Sequence, residues 1–174
     1  PIFEVNVEAL KDSKIKLLMK SSRNGIFINV SYKKNVITKC IKSLNKNSYL
    51  SDEGDEPVGT AAGIRNIVSD LKDESFIVIN SDVWTDYPLD QLKELDLNDN
   101  LAHIVLIETP DYLAGDFDIN GEAITTGKKY VFSGIGKYHT ELFKKYNDKD
   151  LGDILRAEGK ISFSIYDRQW MDIG

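Results

Sequence analysis

Two aspartates follow predicted strands at positions where a sheet would hold metal-binding carboxylates. Asp82 comes after the apolar run at residues 76–79, which is typical of a strand buried on both faces. Asp172 follows a second predicted strand at residues 161–166. Open α/β sheets bind ligands beside the carboxyl ends of strands, and two carboxylates from separate loops are the usual protein share of a magnesium site. The pair therefore predicts magnesium bound with a phosphate, whereas capping of a loop or helix is the structural alternative for Asp82.

A loop of small residues, Glu-Pro-Val-Gly-Thr-Ala-Ala-Gly at residues 56–63, precedes a predicted helix. Small side chains let a flat ring or a phosphate approach the backbone, and the N-terminus of the helix offers free amides. Thr60 is a candidate N-cap of that helix. The loop is consistent with nucleotide binding, and a tight turn with close helix packing is its structural alternative.

A third group of residues combines glycine, acid and lysine. Gly115 could expose backbone donors to a hydroxylated ligand beside Asp116, and Lys128 or Lys129 could neutralise a phosphate. Each of these residues is also typical of a turn or a solvated charge pair. For any one of these residues alone, the structural interpretation is favoured.

Composition and charge limit the classes of function. A chain of 174 residues, 41% of them hydrophobic, predicts one domain over residues 1–174 with a sizeable core. The net charge of −6 argues against a nucleic-acid partner. No stretch approaches the roughly 20 apolar residues of a membrane span. The single Cys40 cannot form an internal disulfide and fits buried filler in a reducing compartment, so we expect a cytoplasmic protein. No pattern in the sequence indicates an oligomeric state.

Helices and strands alternate along the chain. Apolar spacing predicts helices at residues 3–18, 36–44, 60–71, 139–146 and 151–157. Apolar runs predict strands at residues 26–30, 76–80, 102–107, 130–135 and 161–166, with a hairpin at Asn120-Gly121. Residues 45–59 are polar and rich in turn formers, which predicts a connection. This alternation indicates an α/β fold with right-handed crossovers and a largely parallel sheet.

The motifs taken in order resemble the sugar-phosphate nucleotidyltransferases. The resemblance is closest to the short N-acetylmuramate-1-phosphate uridylyltransferases and the mannose-1-phosphate guanylyltransferase-like proteins, and it runs along essentially the whole chain. The segments that carry it are EPVGTAAG at 56–63, NSDVWTD at 80–86, GDF at 115–117, FSGI at 132–135 and WMDIG at 170–174. It implies a Rossmann-like, GT-A-like nucleotidyltransferase fold, with a mixed, mostly parallel sheet flanked by helices.

The resemblance also implies a reaction and its residues. A sugar 1-phosphate would attack the α-phosphorus of a nucleoside triphosphate, UTP ahead of GTP, to give a nucleotide sugar and pyrophosphate. Asp82 and Asp172 would hold Mg²⁺. The residues implied to contact the sugar are Asn80, Gly115 and Asp116, and those implied to approach the base and ribose are Glu56, Gly59 and Thr60. A phosphate dianion is already a nucleophile at neutral pH, so no general base is needed, and we expect His103 and His139 to be structural.

The chain departs from the family pattern at its beginning. In the family, a glycine-rich G-x-G-x-R loop and a lysine–proline motif come before the segment that matches Pro1, and the lysine is central to transfer. We therefore expect the catalytic lysine upstream of Pro1. A catalytically silent nucleotide-sugar-binding or regulatory domain is the alternative interpretation. A GT-A glycosyltransferase is disfavoured, because the strand end carries Asn80-Ser81-Asp82 instead of a D-x-D pair.

Overall fold

The structure, a computed structural model, describes residues 26–30, 35, 38–39, 48–54, 59–71, 73–147 and 149–173. The described residues fall into two compact units, one within residues 26–71 and the other from Asp73 to Ile173. The predicted helix at residues 3–18 and Cys40 lie outside the described residues. Asn35, Thr38 and Lys39 are helical, in line with the predicted second helix. The prediction of a single domain stays a prediction.

The first unit contains two parallel strands and a helix. Strand β1 (Ile26–Val30) pairs with β2 (Ser48–Asp52) from Ile26 opposite Ser48 onward. The prediction that residues 45–59 form a connection is therefore wrong for β2. The serines and the aspartate of β2 are typical of a loop, so the sequence did not indicate a strand. In the structure, the Tyr49 ring stacks on the Phe27 ring with 5.0 Å between the ring centroids. Sheet pairing here depends on a cross-strand contact that local composition does not reveal.

Helix α1 (Thr60–Val68) begins at the predicted cap residue itself, one residue earlier than a cap at Thr60 would imply. Gly59 holds the N-cap position at φ +85°, and Thr60 is the first helical residue, so the prediction that Thr60 caps the helix is wrong. Only glycine adopts that φ without strain. Within α1, a Cβ on Gly63 would overlap the side chains of Glu53 and Asn29. Because Gly63 has no side chain, α1 can pack closely against the side chains of Asn29 and Glu53.

The sheet of the second unit is built around one long strand. Its strands are β3 (Ser75–Ile79), β5 (Ala102–Glu108), β6 (Phe117–Asn120), β7 (Ala123–Thr126), β8 (Tyr130–His139) and β9 (Ile161–Ile165). β5 pairs with one edge of β8, and β3 and β6 share its other edge. β9 extends the sheet beyond β5, and β7 extends it beyond β6.

The direction of β8 corrects the predicted sheet. β3 and β5 are both antiparallel to β8, whereas β9 is parallel to β5. β3, β5 and β9 therefore run in one direction with β8 reversed between β3 and β5. Among the strand pairs described in the second unit, β5–β9 is the parallel one, so the prediction of a largely parallel sheet is wrong there. The α/β class itself is confirmed.

Among its described residues, the second unit also contains three helices and a hairpin. The helices are α2 (Leu89–Glu94), α3 (Thr140–Lys145) and α4 (Leu151–Ala157). The predicted hairpin is confirmed and is formed by β6 and β7. Its two-residue loop contains Gly121, which has φ +62°. β5 forms the centre of the core, since its residues from Ala102 to Ile107 are all buried. A strand paired on both edges and covered on both faces gives a rigid support for its neighbours.

Candidate active site

A short ribbon brings the two predicted metal-binding aspartates to neighbouring positions. Strand β4 (Val83–Thr85) pairs antiparallel with β10 (Trp170–Asp172), and Asp172 lies opposite Val83. The amide of Ile173 donates to the carbonyl oxygen of Asp82 over 2.8 Å, which extends the ladder by one residue. Asp82 and Asp172 therefore lie one ladder position apart, although they are distant in the sequence.

The chemistry of this pair fits a hard cation. Asp82 is half-buried and Asp172 is exposed, so both residues reach solvent. Carboxylate oxygens are ligands that Mg²⁺ prefers, and Mg²⁺ is usually held by one or two carboxylates with waters and substrate phosphates. Across the described residues, no group of three or more His, Cys, Asp or Glu side chains is arranged to hold a metal. Two carboxylates without a larger cage are the donor set expected for an ion that is shared with a phosphate substrate.

The turn between β3 and β4 carries Asn80 and Asp82 and packs closely on β8. The Asn80 amide donates to the carbonyl of Gly134 over 2.8 Å. Gly134 has φ +76°, and a Cβ there would lie 2.9 Å from the Asn80 Cβ and 3.0 Å from Val83 Cγ2. Gly134 is thus required by this close approach, a role that the sequence analysis missed. A glycine inside a predicted strand was the available indication.

Trp170 connects the ribbon to the central strand. Its indole Nε1 donates to the carbonyl of Ser133, a fully buried residue of β8, over 2.8 Å. On the other side of the ribbon, Trp84 and Met171 lie opposite each other and are both exposed. The indole hydrogen bond fixes the start of β10 on the sheet and so helps to place Asp172.

Gly115 and Asp116 have structural contacts at the start of β6. The amide of Asp116 donates to the Tyr130 carbonyl over 2.8 Å, and its Oδ2 accepts from the Phe132 amide at 3.0 Å. Gly115 has φ +77°, and a Cβ there would overlap the backbone of Lys128. These contacts account for the glycine and for one carboxylate oxygen. The sugar-binding roles of both residues stay predictions.

Asp118 organises the loop that carries the two lysines. Its Oδ1 accepts from the amides of Lys128 at 3.0 Å and Lys129 at 2.9 Å. The ammonium of Lys129 lies 5.3 Å from the centroid of the Tyr130 ring. The loop therefore has the geometry of an ordered turn, which was the structural alternative for these lysines.

Asp86, at the end of β4, accepts from two residues that precede β10. Its Oδ1 accepts from the Tyr166 hydroxyl, and its Oδ2 lies 2.9 Å from Arg168 Nη2. The hydroxyl of Tyr166, and then the charge of Arg168, hold the pKa of the Asp86 carboxyl below its ordinary value. Burial and the bond to Asp86 raise the pKa of Tyr166 to about 12. The sequence analysis gave Asp86 no role, because its partners are remote in sequence.

Both histidines have structural contacts. His103 is buried, with its ring nitrogens 2.9 Å from Ser162 Oγ and 3.2 Å from Ser164 Oγ. Burial, with a contribution from the charge of Lys137, lowers the pKa of His103 below its ordinary value of 6.5. His139 caps α3 by accepting from the Glu141 amide. These contacts agree with the expectation that His103 and His139 are structural.

The predicted nucleotide-binding residues belong to the first unit. Gly59 and Thr60 lie at the N-terminus of α1, where the Gly63 amide donates to the Gly59 carbonyl over 2.9 Å. Glu56 lies outside the described residues. The nucleotide-binding roles of Glu56, Gly59 and Thr60 stay predictions.

Sequence comparison finds a curated protein that is similar to much of this chain. No protein-family model matches it. A curated protein, the N-acetylmuramate alpha-1-phosphate uridylyltransferase of Neisseria meningitidis serogroup B (strain ATCC BAA-335 / MC58), is 29% identical over 137 residues. The match covers 68% of this chain and 59% of that relative, so the chain spans little more than half the length of the protein it matches.

Solved structures share the fold at low sequence identity. HddC from Yersinia pseudotuberculosis, also solved in complex with GMP-PN, superposes with a TM-score of 0.68 at 22% identity over 91% of this chain and 77% of its own. The inositol-1-phosphate CTP transferase from T. maritima gives a TM-score of 0.71 at 16% identity, over 94% and 76% of the two chains. A putative glucose-1-phosphate thymidylyltransferase from Bacillus anthracis gives a TM-score of 0.68 at 14% identity, over 91% of this chain and 74% of its own.

This chain is similar in sequence to a sugar-phosphate nucleotidyltransferase and shares the fold of the solved structures. The predicted nucleotidyltransferase fold is confirmed by the shared architecture. The reversed strand β8 is consistent with that fold, even though it departs from the simple alternation used to predict the sheet. In the part of the chain that the structure describes, no helix is both long and apolar enough to cross a membrane.

Proposed function

We propose that this nucleotidyltransferase relative transfers a nucleotidyl group from a nucleoside triphosphate to a sugar 1-phosphate. The observation that carries the proposal is the β4–β10 ribbon, which places Asp82 beside the backbone of Asp172 and Ile173. The ribbon brings the backbones of the two aspartates together, and two carboxylates that reached the same cation there would hold it next to two phosphates. Their positions match those that the family resemblance gives to the magnesium ligands.

The proposed reaction is an in-line substitution at phosphorus. An oxygen of the sugar 1-phosphate forms a bond to the α-phosphorus as the bond from that phosphorus to the bridging oxygen breaks, and pyrophosphate leaves with the electron pair. The attacking dianion carries no proton that must be removed, and the contacts of His103 and His139 are structural. Mg²⁺ held by Asp82 and Asp172 would neutralise charge that develops on the phosphate oxygens.

The substrate side of the proposal uses the residues around the β3–β4 turn and the start of β6. The Asn80 amide donates to the Gly134 carbonyl. This bond would fix the backbone that presents the Asn80 side chain. One carboxylate oxygen of Asp116 accepts from the Phe132 amide. We propose that the remaining lone pairs of the carboxylate accept from sugar hydroxyls. Gly115 would allow the backbone to approach the sugar closely.

For the nucleotide side, we propose that the α1 N-terminus with Gly59 and Thr60, together with Glu56, approaches the base and ribose. The resemblance places the triphosphate loop and the catalytic lysine upstream of Pro1. The proposal therefore concerns the full-length protein, and that protein is the material for its test. UTP is favoured because the curated relative is named a uridylyltransferase, and GTP comes next.

Pyrophosphate release from the full-length protein tests the proposal. The four common ribonucleoside triphosphates should be crossed with N-acetylmuramate, N-acetylglucosamine, mannose and glucose 1-phosphates, with Mg²⁺ present. We expect release to require both substrates, with UTP and an amino sugar 1-phosphate as the best pair. Binding of nucleotide sugars without release from any pair would contradict the enzyme and support a silent binding or regulatory domain.

A further inference from the structure

The β4–β10 ribbon is too short to set its own register. It has three directly paired positions, from Trp170 opposite Thr85 to Asp172 opposite Val83. A two-stranded ribbon of this size is marginally stable at best in water. A slip of one residue would move every side chain of β10 to the other face of the ribbon and so change the position of the Asp172 carboxylate relative to Asp82. The proposed metal pair therefore depends on contacts outside the ribbon that hold it in register.

The start of β10 is held both by the sheet and by residues at the end of β4. Trp170 bonds to the Ser133 carbonyl of β8. The Asp86 amide donates to the Gln169 carbonyl over 3.3 Å, and Thr85 Oγ1 donates to the same oxygen over 2.8 Å. These bonds pair the residue just before β10 with the end of β4.

The carboxylate of Asp86 reinforces this pairing with both of its oxygens. One oxygen accepts from the Tyr166 hydroxyl, and the other forms an ion pair with Arg168 at 2.9 Å. Tyr166 and Arg168 belong to the connection between β9 and β10. Charge-assisted hydrogen bonds of this kind are stronger and more directional than neutral ones.

Tyr166 is in turn fixed on the sheet. Its amide donates to the Leu106 carbonyl of β5 over 2.8 Å, and its ring packs edge-on against Tyr87 with 5.0 Å between centroids. Leu106 is fully buried in the core strand. Asp86 thus ties the end of β4 to a residue anchored on the most buried strand of the unit.

We propose that Asp86 is a positioning residue that sets the register of β10 on β4 and thereby holds Asp172 beside Asp82. This inference rests on the proposed function, in which those two aspartates share a metal. Asp86 itself contacts neither substrate nor metal in this account. Its effect on the reaction passes through the backbone of residues 169–173.

The test compares Asp86→Asn with Asp167→Asn in the full-length protein. Asparagine keeps the size of the side chain but removes its charge and turns one of the two acceptor oxygens into a donor. Asp167 is an exposed acid between Tyr166 and Arg168, so its change is chemically matched on the same connection. Two quantities should be measured: amide hydrogen exchange in residues 169–173, and the Mg²⁺ concentration that gives half-maximal pyrophosphate release.

We expect Asp86→Asn to speed exchange of the Ile173 amide and to raise the half-saturating Mg²⁺ concentration about 10-fold, as is usual when a residue supporting a metal ligand is lost. Asp167→Asn should leave both quantities at their wild-type values. Wild-type exchange and wild-type Mg²⁺ dependence in Asp86→Asn would overturn the proposal.

A second variant covers the case in which Asp86→Asn does not fold. Tyr166→Phe removes one of the two contacts to Asp86 and keeps the ring against Tyr87. It should change both quantities in the same direction by a smaller factor, and unchanged values would again overturn the positioning role. If the wild-type protein releases no pyrophosphate, the proposed function fails, and exchange of the Ile173 amide alone decides the register claim.

Discussion

Gly134 of β8 lies directly against Asn80 at the end of β3, with room for no side chain between them. A Cβ on Gly134 would be 2.9 Å from the Cβ of Asn80, closer than real Cβ atoms approach their neighbours. The turn that carries Asn80 and Asp82 is therefore shaped by a glycine on a different strand. The position of a proposed metal ligand depends on this contact across the sheet.

Gly134→Ala should displace this turn as well as destabilise the fold. Both Gly134 and Gly121 have positive φ, but a Cβ on Gly121 would have no atom within 4 Å. We expect Gly121→Ala to lower the free energy of unfolding by about 1–2 kcal/mol, the cost of the left-handed backbone alone. Gly134→Ala should cost roughly 1–3 kcal/mol more because of overpacking.

Urea unfolding of the two glycine variants measures this difference, and pyrophosphate release at a temperature where both are folded measures displacement of the turn. Release should fall in Gly134→Ala and not in Gly121→Ala. Equal stabilities and equal rates in the two variants would mean that the turn tolerates a side chain at Gly134.

His103→Gln should remove part of the pH dependence of stability. Burial lowers the pKa of His103 in the folded state below its ordinary value of 6.5, so the unfolded chain binds the proton more readily. The contribution of His103 to stability is therefore full above pH 6.5 and declines as the pH falls from there toward the lower folded pKa. Glutamine cannot titrate and can still bond to Ser162 or Ser164.

Urea unfolding of wild type and His103→Gln between pH 8 and pH 5 checks this expectation. The two free energies of unfolding should keep a constant difference above about pH 7, and the wild type should lose more stability than the variant below pH 6.5. Parallel curves across the whole range would show that His103 keeps its ordinary pKa in the folded protein.

Asp116→Ala should weaken use of the sugar 1-phosphate more than use of the nucleotide. A lost hydrogen bond to a charged group costs about 1.5–3 kcal/mol, which corresponds to a rise in the sugar-phosphate KM of about tenfold or more. Asp118→Ala is the control, because Asp118 also accepts backbone amides and has no proposed sugar contact. Initial rates with each substrate varied in turn give both KM values. An equal rise in the two KM values for Asp116→Ala would contradict the sugar contact. The role of Asp116 would then be limited to its structural bond with the Phe132 amide.

The sequence motifs predicted the nucleotidyltransferase fold and the kind of protein that the chain resembles, because their order along the chain is specific. The metal-binding roles of Asp82 and Asp172 stay predictions. The motifs did not predict that β8 runs antiparallel between β3 and β5, since the alternation of helices and strands does not say which strands pair. β2 was missed because its polar residues read as a connection, and its pairing with β1 is a contact remote in sequence.

The supporting contacts of the site were also beyond the sequence. The two partners of Asp86 and the indole bond of Trp170 to Ser133 join residues far apart in the chain. Gly134 looked like an ordinary strand glycine until its neighbour Asn80 was known. A motif can name the residues that do chemistry, whereas the residues that hold them in place depend on tertiary structure.

The central claim is that Asp82 and Asp172 together hold the magnesium for nucleotidyl transfer. Its most direct test is pyrophosphate release by the full-length Asp82→Asn and Asp172→Asn variants, with Asp167→Asn as the matched control and circular dichroism to confirm folding. Each of the two variants should lose activity by about 100-fold or more while the control keeps it, because a ligand of the shared ion is lost. Near-wild-type release by a folded Asp82→Asn or Asp172→Asn protein would contradict the shared-metal site.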